Sequence, residues 1–150
     1  MPHISRFALV TFSAQQMFDL VSDVSRYPEF LSWVRSATVH EQDAEHQLAT
    51  LEVRIAGMAR RFTTRNTLVP GQELSMCLHR GPFEELAGVW RFRRLGEVGA
   101  KVSLDLSFAM RGSALMLPFR RGFERMADGM VDDFCRRAEQ IHGQPEFALG

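Results

Sequence analysis

The chain has 150 residues and 17.1 kDa, with 18 basic side chains against 18 acidic ones. That length and a 45% hydrophobic content suit one domain able to bury a core, and they exclude a disordered or low-complexity chain. Zero net charge argues against a general nucleic-acid binder, and no DNA partner is expected. Within that balance only Lys101 is Lys and all other basic residues are Arg, which reflects either codon usage or a use for the planar, bidentate guanidinium fork. Cys77 and Cys135 stand in no metal or redox spacing and read as buried, reduced thiols of a cytoplasmic protein. The N-terminus lacks a signal-peptide pattern, and no uncharged stretch is long enough to span a bilayer. The expectation is a soluble single domain over residues 1–143 with a tail at 144–150.

Residues 3–12 alternate as a strand does, with Ile4, Arg6, Ala8 and Val10 on one side and Ser5, Phe7, Leu9 and Thr11 on the other. Phe12-Ser13-Ala14-Gln15-Gln16-Met17 then carries a helix start: Ser13 as cap, Gln16 as the other half of a capping box, and Phe12 stapled to Met17. Met17, Phe18, Leu20 and Val21 form the apolar side of a short helix that ends by Asp23, and Pro28 bars a long continuation through Tyr27. Six strands are expected at 33–40, 47–56, 59–69, 73–79, 85–95 and 101–110, separated by a polar turn at 41–46 and by Gly57, Pro70-Gly71 and Gly96–Gly99 signals. Connections this short join antiparallel neighbours, because a parallel crossover needs a dozen or more residues. Leu115, Phe119, Phe123, Met126, Met130, Phe134, Ala138 and Ile141 then recur at spacings of three and four, which predicts a long amphipathic helix over 113–142. Pro118 either kinks that helix or marks its true start. The order describes an α+β domain: a curved antiparallel sheet of about seven strands wrapped around a long C-terminal helix, with two short helices after the first strand.

Strand parity selects the inner face. Leu51, Val53 and Ile55 share one face, as do Leu74, Met76 and Leu78, then Leu86, Trp90 and Phe92, then Val102, Leu104, Leu106 and Phe108; Met126, Met130 and Phe134 of the helix lie against them. These residues form either a solid core or one left hollow for an apolar ligand, a role that eight Met and twelve Phe suit. In Phe62-Thr63-Thr64-Arg65-Asn66, the parity that turns Phe62 and Leu68 inward also turns Thr64 and Asn66 inward. Those polar groups must be paired, either with a neighbouring element or with a ligand's polar head. The candidate cavity therefore comprises Trp33, Leu51, Val53, Ile55, Phe62, Thr64, Asn66, Met76, Leu78, Trp90, Leu104, Phe108, Met126, Met130 and Phe134.

Catalytic and metal patterns are missing. His40 and His46 bracket Glu41, Asp43 and Glu45 in an exposed turn, at a spacing that fits no zinc site, so no metal is expected. The chain has no Gly-x-Ser-x-Gly, P-loop or Gly-x-Gly-x-x-Gly. Cys77 and His79 lack an orienting acid, and Glu52 and Asp105 fall on the outward parity, so the expectation is a protein that is not an enzyme.

Five segments carry a family resemblance. They are Pro2-His3-Ile4-Ser5-Arg6, Tyr27-Pro28-Glu29-Phe30-Leu31-x-Trp33, Phe62-Thr63-Thr64-Arg65-Asn66, Gly81-Pro82-Phe83 through Leu86-x-Gly88-x-Trp90-x-Phe92, and Met130-Val131-x-x-Phe134-x-x-Arg137-Ala138. In order and spacing over residues 2–142 they resemble the coenzyme-Q-binding START-like family of the polyketide cyclase/dehydrase and lipid transport superfamily, and within it the bacterial ribosome association toxin branch. Family members often read Phe-Leu-Pro-Trp-Cys in the second segment; Ser32 and Val34 stand here in place of that Pro and Cys. The resemblance implies a helix-grip fold around an apolar cavity, with no required cofactor beyond a bound ubiquinone or lipid.

Three functions follow as expectations. The first is a non-enzymatic carrier of ubiquinone or another isoprenoid or lipid, supporting respiration. The alternative is a toxin that binds the large ribosomal subunit and blocks subunit association. The third and least supported is an oligoketide cyclase/dehydrase. Charge segregation bears on the alternative: residues 54–94 hold eight Arg against three acids, whereas residues 19–53 hold seven acids against two Arg. Arg61, Arg65, Arg91 and Arg93 on the outer strands form either a phosphate-binding patch or a solvated face paired with nearby acids.

Overall fold

The computed structural model describes residues 3–112 and 114–143; the expected tail at 144–150 lies outside them, as do Pro2 and Ser113. Strand β1 (His3–Val10) leads to helix α1 (Ala14–Ser22) and a 3₁₀ helix at Val24–Glu29. Six strands follow: β2 (Val34–Gln42), β3 (His46–Ile55), β4 (Met58–Val69), β5 (Glu73–Arg80), β6 (Phe83–Leu95) and β7 (Gly99–Met110). A 3₁₀ turn at Ala114–Met116 opens into helix α2 (Leu117–His142). The strands form one antiparallel sheet in the order β1-β7-β6-β5-β4-β3-β2, so only β1 pairs with a strand distant in sequence. This is the α+β arrangement that the element order implies.

Local chemistry sets the element ends. The Ser13 hydroxyl accepts from Gln16 N–H while the Gln16 side chain accepts from Ser13 N–H, a complete capping box for α1. Pro118 occupies the first turn of α2, where its missing N–H has no intrahelical role, so the helix begins there and is not kinked. The β3–β4 hairpin turns on Ala56 and Gly57, both at positive φ.

Helix α2 lies across the inner face of the sheet and buries Phe119, Phe123, Ala127, Val131, Phe134 and Ala138. This corrects the expected stripe. Leu115 and Ile141 are 81% and 49% exposed, and Met126 and Met130 are only half-buried. The buried line is turned about the helix axis towards Ala127 and Val131, while Met130 borders the interior space. Cys77 is also corrected: it is exposed, on the outer parity of β5, while Cys135 is half-buried and its thiol is pushed up to about 11 by burial and by Asp132 and Glu139.

Two glycines of α2 differ in what surrounds them. A methyl group on Gly122 would collide with Ile55 Cγ2, so this glycine lets the helix approach the β3–β4 hairpin; Gly129 has open space around its Cα. Gly122→Ala should therefore destabilise by about 1–3 kcal/mol despite the better helix former. Gly129→Ala should stabilise by about 0.5–1 kcal/mol. Urea denaturation of the two variants checks this, and equal stabilisation by both would contradict the close approach.

Candidate functional site

The β4 parity does place Phe62, Thr64, Asn66 and Leu68 inward, and all four are buried. Around Thr64 and Asn66 the sheet, the 3₁₀ helix after α1 and α2 enclose one cavity of about 70 Å³. Gly88, inward on β6, helps to leave this space: it pairs with Met76 and Leu106, both of which line the cavity. Eight of the residues expected there do line it: Trp33, Leu51, Phe62, Thr64, Asn66, Met76, Trp90 and Met130. Val53, Ile55, Leu104, Phe108 and Phe134 do not; they are packed solidly in the core, with Phe134 against Tyr27, Phe30 and Trp90. Leu78 and Met126 pack half-buried against the core and also stay off the lining. Reasoning from strand parity missed Val24 and Tyr27, which reach the cavity from a 3₁₀ helix with no period-2 pattern, and Ala49, whose small side chain carries little signal.

The inward polar pair is met by a neighbouring element. Asn66 Nδ2 donates to Gln47 Oε1 at 2.7 Å, and Gln47 Nε2 donates to Ser22 O at 2.9 Å and to Gln42 Oε1 at 2.7 Å. Gln47 is 2% exposed and directly opposite Asn66 in the β3–β4 register. It shares the parity of Leu51 and Val53, which is the signal that marks it as inward. Two polar atoms at the cavity have no hydrogen-bond partner, Trp33 Nε1 and Asn66 Oδ1. The one titratable side chain on the lining is Tyr27, whose hydroxyl donates to Val21 O; burial and the nearby Asp23 carboxylate hold its phenol protonated, far above the ordinary range.

That inventory limits the chemistry. The lining carries no carboxylate, imidazole, thiol or amine to move a proton or attack a substrate. Glu52 and Asp105 lie on the outer face, paired with Arg61 at 3.2 Å and Arg91 at 3.4 Å. The imidazoles are dispersed: His40 bonds Thr50, His46 lies beside Asp43, and His79 faces Arg65. The volume is also restrictive, since pockets for drug-sized ligands are about 300–1,000 Å³.

Outside, the expected patch is divided. Arg61 and Arg91 are paired with acids, Arg91 also with Glu73 at 3.6 Å. Arg65 faces His79 at 3.5 Å, and Arg93 has no carboxylate partner among the described residues. On this face the acids therefore cancel much of the cationic charge that the sequence places there, because the register sets Glu52 opposite Arg61 and Glu73 opposite Arg91.

With this geometry in hand, comparison with known proteins gives concordant results. The model of a family described as polyketide cyclase / dehydrase and lipid transport matches residues 10–135. A ribosome association toxin RatA from Pseudomonas aeruginosa is 46% identical over 141 residues, covering 94% of this chain and 98% of that protein. A coenzyme Q-binding protein COQ10, mitochondrial, from Drosophila melanogaster is 28% identical over 143 residues, covering 93% of this chain and 59% of that protein. In fold, the crystal structure of the Zhui aromatase/cyclase from Streptomyces sp. R1128 superposes with a TM-score of 0.80 at 19% identity, covering 93% of this chain and 94% of the other.

The Gln47 network has a measurable worth. Gln47→Leu strands Asn66 Nδ2 and the Ser22 carbonyl in the interior, and should cost roughly 2–4 kcal/mol in chemical denaturation. A loss under 1 kcal/mol would mean that Asn66 is satisfied in some other way.

Proposed function

Because the chain belongs to the polyketide cyclase / dehydrase and lipid transport family, in which its near relatives include a ribosome association toxin, we propose that it is a non-catalytic protein that binds the large ribosomal subunit and opposes subunit association. The observation that carries this is the state of its arginines. Arg6, Arg26, Arg61, Arg91, Arg136 and Arg137 have carboxylate partners; the other eleven of the 17 Arg have none among the described residues. Uncommitted guanidiniums on a neutral protein suit local contact with RNA phosphate, where planar bidentate bonding and counterion release supply the affinity.

A second reading, the carrier of a quinone or lipid, draws on Trp33 Nε1 and Asn66 Oδ1, an unpartnered donor and acceptor on an otherwise apolar cavity. It requires α2 or the 3₁₀ helix at Val24–Glu29 to move away from the sheet, since 70 Å³ does not admit a quinone ring with a prenyl tail. The same arrangement disfavours a cyclase, which needs both room for a substrate and a group to move its protons.

Sedimentation with purified ribosomal subunits, together with solvent extraction and mass spectrometry of the protein, separates these readings. The expected result is salt-sensitive co-sedimentation with the large subunit and no stoichiometric isoprenoid in the extract. Absence of co-sedimentation at low salt, with a quinone recovered at one per chain, would replace this proposal with the carrier.

A further inference from the structure

Resting on the ribosome-binding reading above, we propose that the surface that meets RNA is the end of the molecule around the start of α2, and not the outer face of the sheet. Four separate parts of the chain converge there. The β3–β4 hairpin brings Arg54 and Arg60, opposite Ala59 and Val53 in the register, and it meets α2 at Gly122. Arg80 closes β5 opposite Thr63, at the mouth of the β5–β6 turn. Arg111 follows β7, its N–H bound to Pro82 O in that same turn. Arg120 and Arg121 extend from the first turns of α2.

Met116 joins three of these arginines. Its sulfur accepts from Arg60 Nη2 at 3.6 Å, and it lines a surface groove of about 330 Å³ together with Arg111 and Arg120. The first turn of α2 holds no acidic residue. Among the described residues, none of Arg54, Arg60, Arg80, Arg111, Arg120 and Arg121 has a carboxylate partner; the acids of the adjoining β6 start are Glu84 and Glu85, both exposed. Six guanidiniums therefore gather at this end, where Glu84, Glu85 and Glu124 are the adjoining acids and Glu124 lines a neighbouring groove with Arg121, whereas on the outer sheet Arg61 and Arg91 are each neutralised by a neighbour. The paired face has little free charge to exchange for phosphate. The α2 end has more of it, and there Arg111 and Arg120 line one groove from which both can reach a phosphate.

The test uses the full chain and purified large subunits, with affinity measured across a salt series. One variant carries Arg80→Gln, Arg111→Gln, Arg120→Gln and Arg121→Gln; a control carries Arg61→Gln and Arg91→Gln. Each lost phosphate contact should flatten the slope of log affinity against log salt by about 0.9, so the first variant should bind at least tenfold more weakly with a slope shallower by up to about 3.6. The control should stay within about twofold of the parent. The same four positions changed to Lys should keep most of the affinity, which separates lost charge from lost fold. Binding by the Gln variant equal to that of the parent, or an equal loss in the control, would overturn this assignment while leaving the ribosome reading intact. Failure of the parent itself to bind would instead sink that reading. If the parent binds phosphatidylglycerol vesicles through these four Arg and binds subunits without them, the end serves a lipid surface and the RNA proposal is wrong.

Discussion

Phe123 of α2 sits with its ring 4.8–6.4 Å from those of Phe62, Phe83, Phe108 and Phe119, and one end of the fold is built on that cluster. Eleven residues further along, Phe134 makes edge-on contacts of 5.2–5.3 Å with Tyr27, Phe30 and Trp90. These aromatic anchors clamp the helix to the sheet at two points, each edge-to-face pair adding about 0.5–1.5 kcal/mol beyond the area it buries. Only the gap between the anchors stays open, and it is the 70 Å³ cavity. The interior is closed by the chain's own side chains.

From that closure the functional argument follows. An interior this small ties Asn66 Nδ2 to Gln47 and the Tyr27 hydroxyl to Val21, and leaves only Trp33 Nε1 and Asn66 Oδ1 unpartnered among the described buried polar atoms of the lining. Chemistry with a partner then falls to the surface. There the cross-strand register decides which charges are paired: it sets Arg61 against Glu52 and Arg91 against Glu73, whereas the arginines at the hairpin tips and the α2 start have no ion-paired carboxylate among the described residues. Zero net charge overall is thus compatible with one strongly cationic end.

Most of the fold was legible in the residues, because period-2 alternation, turn glycines and a capping box are local signals. The strands fall within two residues of their expected limits, and the α1 start matches atom for atom. Thr64 and Asn66 could be placed inward by parity alone, and so could Gln47 had the same rule been carried to the first turn of β3. The rotation of the α2 stripe towards Ala127 and Val131 could not, since it depends on how the helix seats on the sheet, which no local pattern encodes. The salt bridges were equally hidden: Arg61 and Arg91 look alike to Arg65 and Arg93 until the register shows which has an acid opposite. Cavity size was hidden for the same reason, being the remainder after every facing side chain has been packed.

Electron cryomicroscopy of the protein bound to the large ribosomal subunit tests this account most directly. It predicts density for α2 with its N-terminal end, and the turns that carry Arg80 and Arg111, against RNA backbone, the outer sheet face turned to solvent, and an interior as closed as described. A complex held through the outer face of β4–β6, or one whose helix has swung out to admit a ligand between Phe123 and Phe134, would contradict it.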